Sequence, residues 1–170
     1  AAIVTAREKR AYITQEDIRK SFVKVGIGAE KKSKVISDKE KRITAYHEAG
    51  HAIVTRLMPD QDPVHQVSII PRGRAGGYTM HLPTEDKMYN SKNEMLNRII
   101  VLMGGRGAEE LIMDDISTGA SNDIERATKL ARAMVTQYGM SERFGLMGLE
   151  SVQHKYLDGR AVLNCGEATA

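Results

Sequence analysis

The sequence predicts a mainly α-helical domain with one small β element inserted after its central helix. Three observations carry this. Capping boxes stand at Thr14-Gln15-Glu16-Asp17, Ser37-Asp38-Lys39-Glu40 and Ser91-Lys92-Asn93-Glu94. Each offers a hydroxyl to the helix's third N–H and an acid that reaches back. Apolar residues then recur three and four apart, as one face of a helix requires. Between the second and third boxes, residues 63–82 break that period with an extended, glycine-rich stretch.

The elements follow in order. Ala1 to about Arg10 is alanine-rich and reads as a helix, and the first box opens another over Ile18, Phe22, Val23 and Val25. Glu30 to about Ser37 is a charged connector. The second box opens the central helix, which must end before Pro59. Pro63 to Ile70 and Tyr78 to Leu82 read as two strands around the loop Pro71–Gly77. The third box opens a helix carrying Met95, Leu96, Ile99, Ile100, Leu102 and Met103. Gly104-Gly105 marks either close helix packing or a break there, and helical character resumes from Arg106 to Met113. A loop, Asp114 to Ala120, leads to Ser121 as N-cap of a last amphipathic helix ending at Gly139. After Gly148 the pattern fades, and residues 151–170 read as an incomplete or mobile tail.

The central helix contains His47-Glu48-Ala49-Gly50-His51, an H-E-x-x-H sequence. At about 3.6 residues per turn, His47 and His51 stack on one face and can share one metal ion. Glu48 falls beside that face, where it can reach a water on the metal without ligating the metal. Zinc brings the pKa of such a water to about 7, and a neighbouring carboxylate can take its proton and pass it to a leaving amine. The row Ile43-His47-His51-Val54 places both imidazoles on or beside the apolar stripe. Without a ligand they would need other polar partners to offset desolvation.

A catalytic zinc takes three protein ligands and leaves a position for water. Glu109, in the pair Glu109-Glu110, lies on a downstream helix. Asp123 lies in the first turn of the last helix, where the helix N-terminus favours a carboxylate. Spacing alone leaves both open.

Composition narrows the alternatives. Of 170 residues, 41% are hydrophobic and 28% charged, ordinary for a globular chain, and the net charge of +3 is too mild to indicate nucleic acid. The basic residues from Lys31 to Arg42 are interleaved with acids, as in a solvated connector. The single Cys165 forms no internal disulfide and has no CxxC partner. No apolar run approaches the roughly 20 residues of a membrane span. There is no GxxxxGK[ST] loop for a nucleotide phosphate. The methionines read as core filling. His65, His81 and His154 belong to no motif.

Four stretches in order, His47–His51, Val67-Ser68-Ile69-Ile70-Pro71-Arg72-Gly73, Gly104-Gly105-Arg106 and Ser117-Thr118-Gly119-Ala120-Ser121-Asn122-Asp123-Ile124, resemble the FtsH family of ATP-dependent zinc metalloproteases. Residues 1–28 resemble the closing helices of that family's AAA+ lid. The resemblance implies a lid fragment at 1–28, a linker at 29–38, a zinc metalloprotease domain at 39–150 and the tail beyond. It implies one Zn²⁺ on His47, His51 and Asp123, with Glu48 catalytic and Glu109 a partner of the ligands. It turns the strand Val67, Ser68, Ile69 and Ile70 from a structural strand into a substrate-binding one. Unfolded polypeptides become the substrates, in a hexamer whose ATPase, with ATP and Mg²⁺, lies outside this chain. The parent would be membrane-anchored with this domain in the cytoplasm, and the chain an excised piece of it. Two other classes stay in view. One is a helical assembly module with a structural metal, which needs four closing ligands; the other is a nucleic-acid-binding domain, which the balanced charge disfavours.

Overall fold

The structure, a computed structural model, describes residues 1–31, 35–73, 75–113, 115–153 and 160–166. Among the described residues the chain forms five α-helices, a 3₁₀ turn and two two-stranded antiparallel sheets. The mainly helical expectation holds, with the small sheet following the H-E-x-x-H helix.

Helices α1 (Ala2–Arg7) and α2 (Gln15–Gly26) form the N-terminal pair. The Thr14–Asp17 box is complete, and Asp17 also accepts from Thr5 and Arg10. Helix α3 (Asp38–Leu57) starts at its expected box: Ser37 Oγ accepts from the Glu40 N–H at 3.2 Å and Glu40 Oε2 from the Ser37 N–H at 3.3 Å. It ends just short of Pro59.

Strands β1 (Val64–Ser68) and β2 (Tyr78–His81) pair with Ser68 opposite Tyr78 and Val64 opposite His81. Ile69 and Ile70 lie beyond β1, because the Ser68 side chain turns back to accept from the Ile70 N–H. The loop between the strands is fastened to the linker. Lys31 N–H donates to Pro71 C=O at 3.0 Å, and Gly73 N–H to Ala29 C=O at 3.1 Å.

Helix α4 (Lys92–Met113) runs unbroken through Gly104-Gly105. The glycines mark close packing. A Cβ on Gly50 of α3 would lie 2.6 Å from Ala108 Cβ, and one on Gly104 would lie 3.0 Å from the Gly50 carbonyl oxygen. Backbone against backbone, the two helices run antiparallel: Glu109 meets His47, Val101 meets His51 and Asn97 meets Pro59. Met95, Val101 and Leu102 of α4 and Ala127 and Met134 of α5 are buried. Met80, Met103 and Met113 are half-buried.

Two expectations are corrected at the C-terminal end. The N-cap of α5 (Ser121–Thr136) is Ala120, not Ser121, because a 3₁₀ turn (Thr118–Ala120) precedes the helix and Ser117 caps that turn. Residues after Gly148 are not all tail: β3 (Glu150–Gln153) pairs antiparallel with β4 (Arg160–Leu163). The pair is anchored by buried Leu149 and by Glu150, which accepts from Thr136 and Arg132. Four-residue strands are too short to show a period of two against background. His154 and residues 167–170 lie outside the described residues.

Candidate metal centre

One turn of α3 brings His47 above His51, with ring centroids 4.7 Å apart and the planes at 79°. Both are buried. The first turn of α5 carries Asp123 to the same point. His47 Nε2 and His51 Nε2 lie 3.1 Å apart, and Asp123 Oδ2 is 3.4 Å from the first and 3.5 Å from the second.

The far side of each ring is already used. His47 Nδ1 lies 2.7 Å from Glu109 Oε1, and His51 Nδ1 lies 2.8 Å from the Val101 carbonyl oxygen. A carboxylate and a carbonyl only accept, so both Nδ1 atoms carry the proton. In neutral rings, both Nε2 lone pairs then point at each other and at Asp123. Three acceptors with no donor between them require a cation. Two atoms each about 2.0–2.1 Å from a tetrahedral ion lie about 3.3 Å apart, which matches the observed separations. These three side chains are the metal-competent cluster among the described residues.

The backbone leaves room for such an ion. A Cβ on Gly105 would lie 2.6 Å from His51 Nε2 and 2.7 Å from His47 Nε2. Any side chain at 105 would therefore press on both imidazole rings. Gly104 and Gly105 have different duties: the first admits α3, the second makes room for the two imidazoles.

Glu109 is not at this point. Its carboxylate holds His47 from behind and accepts from the Ser117 N–H at 2.9 Å. Burial raises its pKa, but these bonds, led by Ser117, hold it below its ordinary value and keep it ionised. Asp123 follows the same logic. Burial pushes it up, yet hydrogen bonds to His47 and His51 hold it well below the usual carboxylate range. Burial opposes charge on His47, but Asp123 and Glu109 raise its pKa on balance. The two carboxylates thus favour positive charge at this point.

Glu48 is buried and does not touch the three-atom cluster. Its Oε2 accepts from Thr79 Oγ1 of β2 at 2.8 Å. Burial raises its pKa, only partly countered by Thr79 and the imidazoles. Gly77 sits against it: a Cβ there would lie 2.9 Å from Glu48 Oε1. The sequence reading missed Thr79, Gly77 and the Val101 carbonyl. Alternation in Tyr78–His81 was the available signal, since it sends Thr79 and His81 to one face; His81 reaches Thr55 Oγ1 at 3.0 Å.

A cavity of about 990 Å³ opens over the cluster. Its wall includes Gly76, Gly77, Tyr78, Thr79 and His81, but none of Val67, Ser68, Ile69 or Ile70. The strand on the cavity is β2, not β1. Its edge away from β1 is unpaired among the described residues.

A mainly helical domain that joins an H-E-x-x-H helix to a carboxylate from a later helix, beneath an open strand, defines a metallopeptidase-type domain. The chain belongs to peptidase family M41, whose family model matches residues 34–168. It is 54% identical over 160 residues to the ATP-dependent zinc metalloprotease FtsH of Caldicellulosiruptor bescii, covering 94% of this chain and 26% of that protein. It is 60% identical over 147 residues to ATP-dependent zinc metalloprotease FtsH 2 of Alkaliphilus metalliredigens, covering 86% and 21%. With FtsH of Clostridium perfringens it shares 51% over 171 residues, covering 100% and 24%. The chain thus spans about a quarter of the length of these relatives. No helix among the described residues is long and apolar enough to cross a membrane.

Proposed function

We propose that this chain is the proteolytic part of an ATP-dependent zinc endopeptidase, with His47, His51 and Asp123 holding one Zn²⁺ per chain. The observation that carries this is the convergence of three donor-free acceptor atoms within 4.8 Å of one another. Bound zinc would polarise a peptide carbonyl and bring a water's pKa to about 7.

The remaining work falls to the chain itself. Glu48 accepts a proton from water and delivers it to the departing amine nitrogen. Thr79 donates to Glu48 Oε2 and fixes the carboxylate's direction, leaving Oε1 for that transfer. Glu109 and the Val101 carbonyl fix both ring tautomers with Nε2 free. The open edge of β2 pairs with an extended polypeptide through main-chain hydrogen bonds, which suits unfolded substrates of varied sequence. Three ligands leave a coordination position open, whereas a structural zinc is usually closed by four.

The relatives' names supply the ATP dependence. The expectation drawn from the family is a membrane-anchored hexamer with this domain in the cytoplasm, fed by an ATPase that uses ATP and Mg²⁺. Residues 1–28 would close its lid and 29–38 link it to the protease domain. The test is metal analysis of the purified chain with cleavage of unfolded casein, with and without chelator. Stoichiometric zinc and chelator-sensitive cleavage support the reading. Zinc-free chain that cleaves equally well defeats it.

A further inference from the structure

We propose that the end of the cavity lined by Arg98, Arg126 and His81 is a subsite for a carboxylate side chain of the substrate, next to the cleaved bond. This rests on the peptidase reading above and adds a specificity to it.

The argument is one of helix geometry. Arg126 follows Asp123 by three residues on α5. Arg98 precedes Val101, whose carbonyl holds His51, by three residues on α4. Three residues of helix advance about 4.5 Å, so Arg126 starts one turn from Asp123, and Arg98 one turn from the carbonyl behind His51. Because α3 and α4 run antiparallel, Arg98 lies toward the C-terminal end of α3. Thr55 lies at that end, one turn beyond His51, and holds His81 of β2. All three cationic or titratable side chains line the one cavity that contains the metal cluster.

Both arginines are exposed, and neither takes part in an ion pair among the described residues. Apart from Glu48, Glu109 and Asp123 of the metal centre, Asp62 is the one carboxylate among the cavity's described lining residues. Two guanidinium groups against one carboxylate leave an excess positive charge. Burial first, then the neighbouring His51, Arg98 and Arg126 against Asp62, lowers the His81 pKa. A planar guanidinium binds a carboxylate through paired N–H donors, with geometric selectivity over an amide.

The test uses the full chain loaded with Zn²⁺ and fluorogenic peptides in which Glu, Gln or Lys is walked across the positions around the cleaved bond. At one adjoining position, Glu should exceed Gln in kcat/KM by about threefold to tenfold, the range for a partly solvated charged pair. The difference should lie mainly in KM and shrink with added salt. The double variant Arg98→Glu, Arg126→Glu should reverse the order and prefer Lys, an outcome misfolding cannot mimic. Arg98→Lys with Arg126→Lys should keep the charge preference. Equal turnover of Glu and Gln peptides at every position overturns the subsite and leaves the peptidase reading intact. No cleavage of any peptide by zinc-loaded chain defeats both.

Discussion

Gly105 of α4 faces His51 of α3 so closely that a Cβ on the glycine would lie 2.6 Å from the imidazole Nε2. That atom would lie as close to the His47 ring, at 2.6 Å from Cε1. Alanine is the better helix former by about 1 kcal/mol, so Gly105→Ala favours α4 by propensity. The substitution should nevertheless weaken zinc binding by about tenfold or more, since both rings must shift from a shared geometry. Circular dichroism of the variant should show helix retained, and competition with a chromogenic chelator should show zinc lost. Unchanged zinc affinity would show that the ion does not sit between these two rings.

Asp123 and Glu109 should respond differently to loss of charge. Asp123→Asn removes an anionic donor at the shared point and should abolish stoichiometric zinc after dialysis. Glu109→Gln keeps an acceptor behind His47 but removes the charge, and should cost about 10- to 100-fold in affinity. The order of these two effects is the measurement. If Glu109→Gln loses zinc and Asp123→Asn keeps it, the ligand assignment is reversed.

Glu48 should matter for turnover and not for metal. Glu48→Gln is expected to retain zinc and to lose casein cleavage by about 10²- to 10⁴-fold, the usual scale for a positioned acid–base group. Thr79→Val removes only the hydroxyl that donates to Glu48 at 2.8 Å. It should reduce kcat by a smaller factor and leave KM nearly unchanged. Undiminished cleavage by the Glu48→Gln variant, with zinc bound, rules out the proton-transfer role.

Proton and metal compete for His47. Its pKa in the metal-free fold is raised above 6.5 because its bonds to Asp123 and Glu109 outweigh burial. A raised value means the metal-free fold gains stability from the charged ring below pH 6.5 and loses it as pH rises through the higher folded value. Zinc must displace that proton, so zinc affinity should climb with pH across the same window. Calorimetry in buffers of different ionisation enthalpy should show proton release on zinc binding near neutral pH. Zinc affinity flat from pH 6 to 8 contradicts this competition (the window follows from the ordinary histidine value of about 6.5).

What the sequence disclosed follows from which interactions are local. The boxes at Thr14, Ser37 and Ser91 close within three residues and were legible in full. So was the stacking of His47 on His51, which needs only one helical turn. The meeting of α3 with α5 spans the chain from His47 to Asp123, and spacing alone left Glu109 equally eligible. Only the antiparallel packing of α4 puts Glu109 behind the ring and Asp123 in front of it. The same holds for β2. The family resemblance pointed at Val67–Ile70 of its hairpin partner, while the tertiary fold turned Thr79 toward Glu48. Gly105 could not be separated from Gly104 by sequence, because only the fold puts the α3 backbone against one and two imidazoles against the other.

The N-terminal pair rests on a polar network and should open first in acid. Phe22, Val25 and Ile18 of α2 remain largely exposed and Val23 is its one buried apolar side chain, so apolar burial on this helix is small. Asp17, by contrast, is fully buried and accepts from Arg10, Thr14 and Thr5. The Arg10 guanidinium first, then the Thr14 N–H, holds its pKa well below 3.8. A depressed value gives stability that is fully present above the unfolded pKa and is lost as pH falls toward the folded one. The Asp17→Asn variant should lose that stability at every pH. Limited proteolysis at neutral pH should then cut the variant within residues 1–31 while the zinc-loaded remainder resists. Hydrogen exchange of the unmodified chain should show the same segment opening below about pH 4, the ordinary aspartate value, with α4 still protected. Opening of α4 together with α1 and α2 would mean that the pair and the metal domain form one cooperative unit.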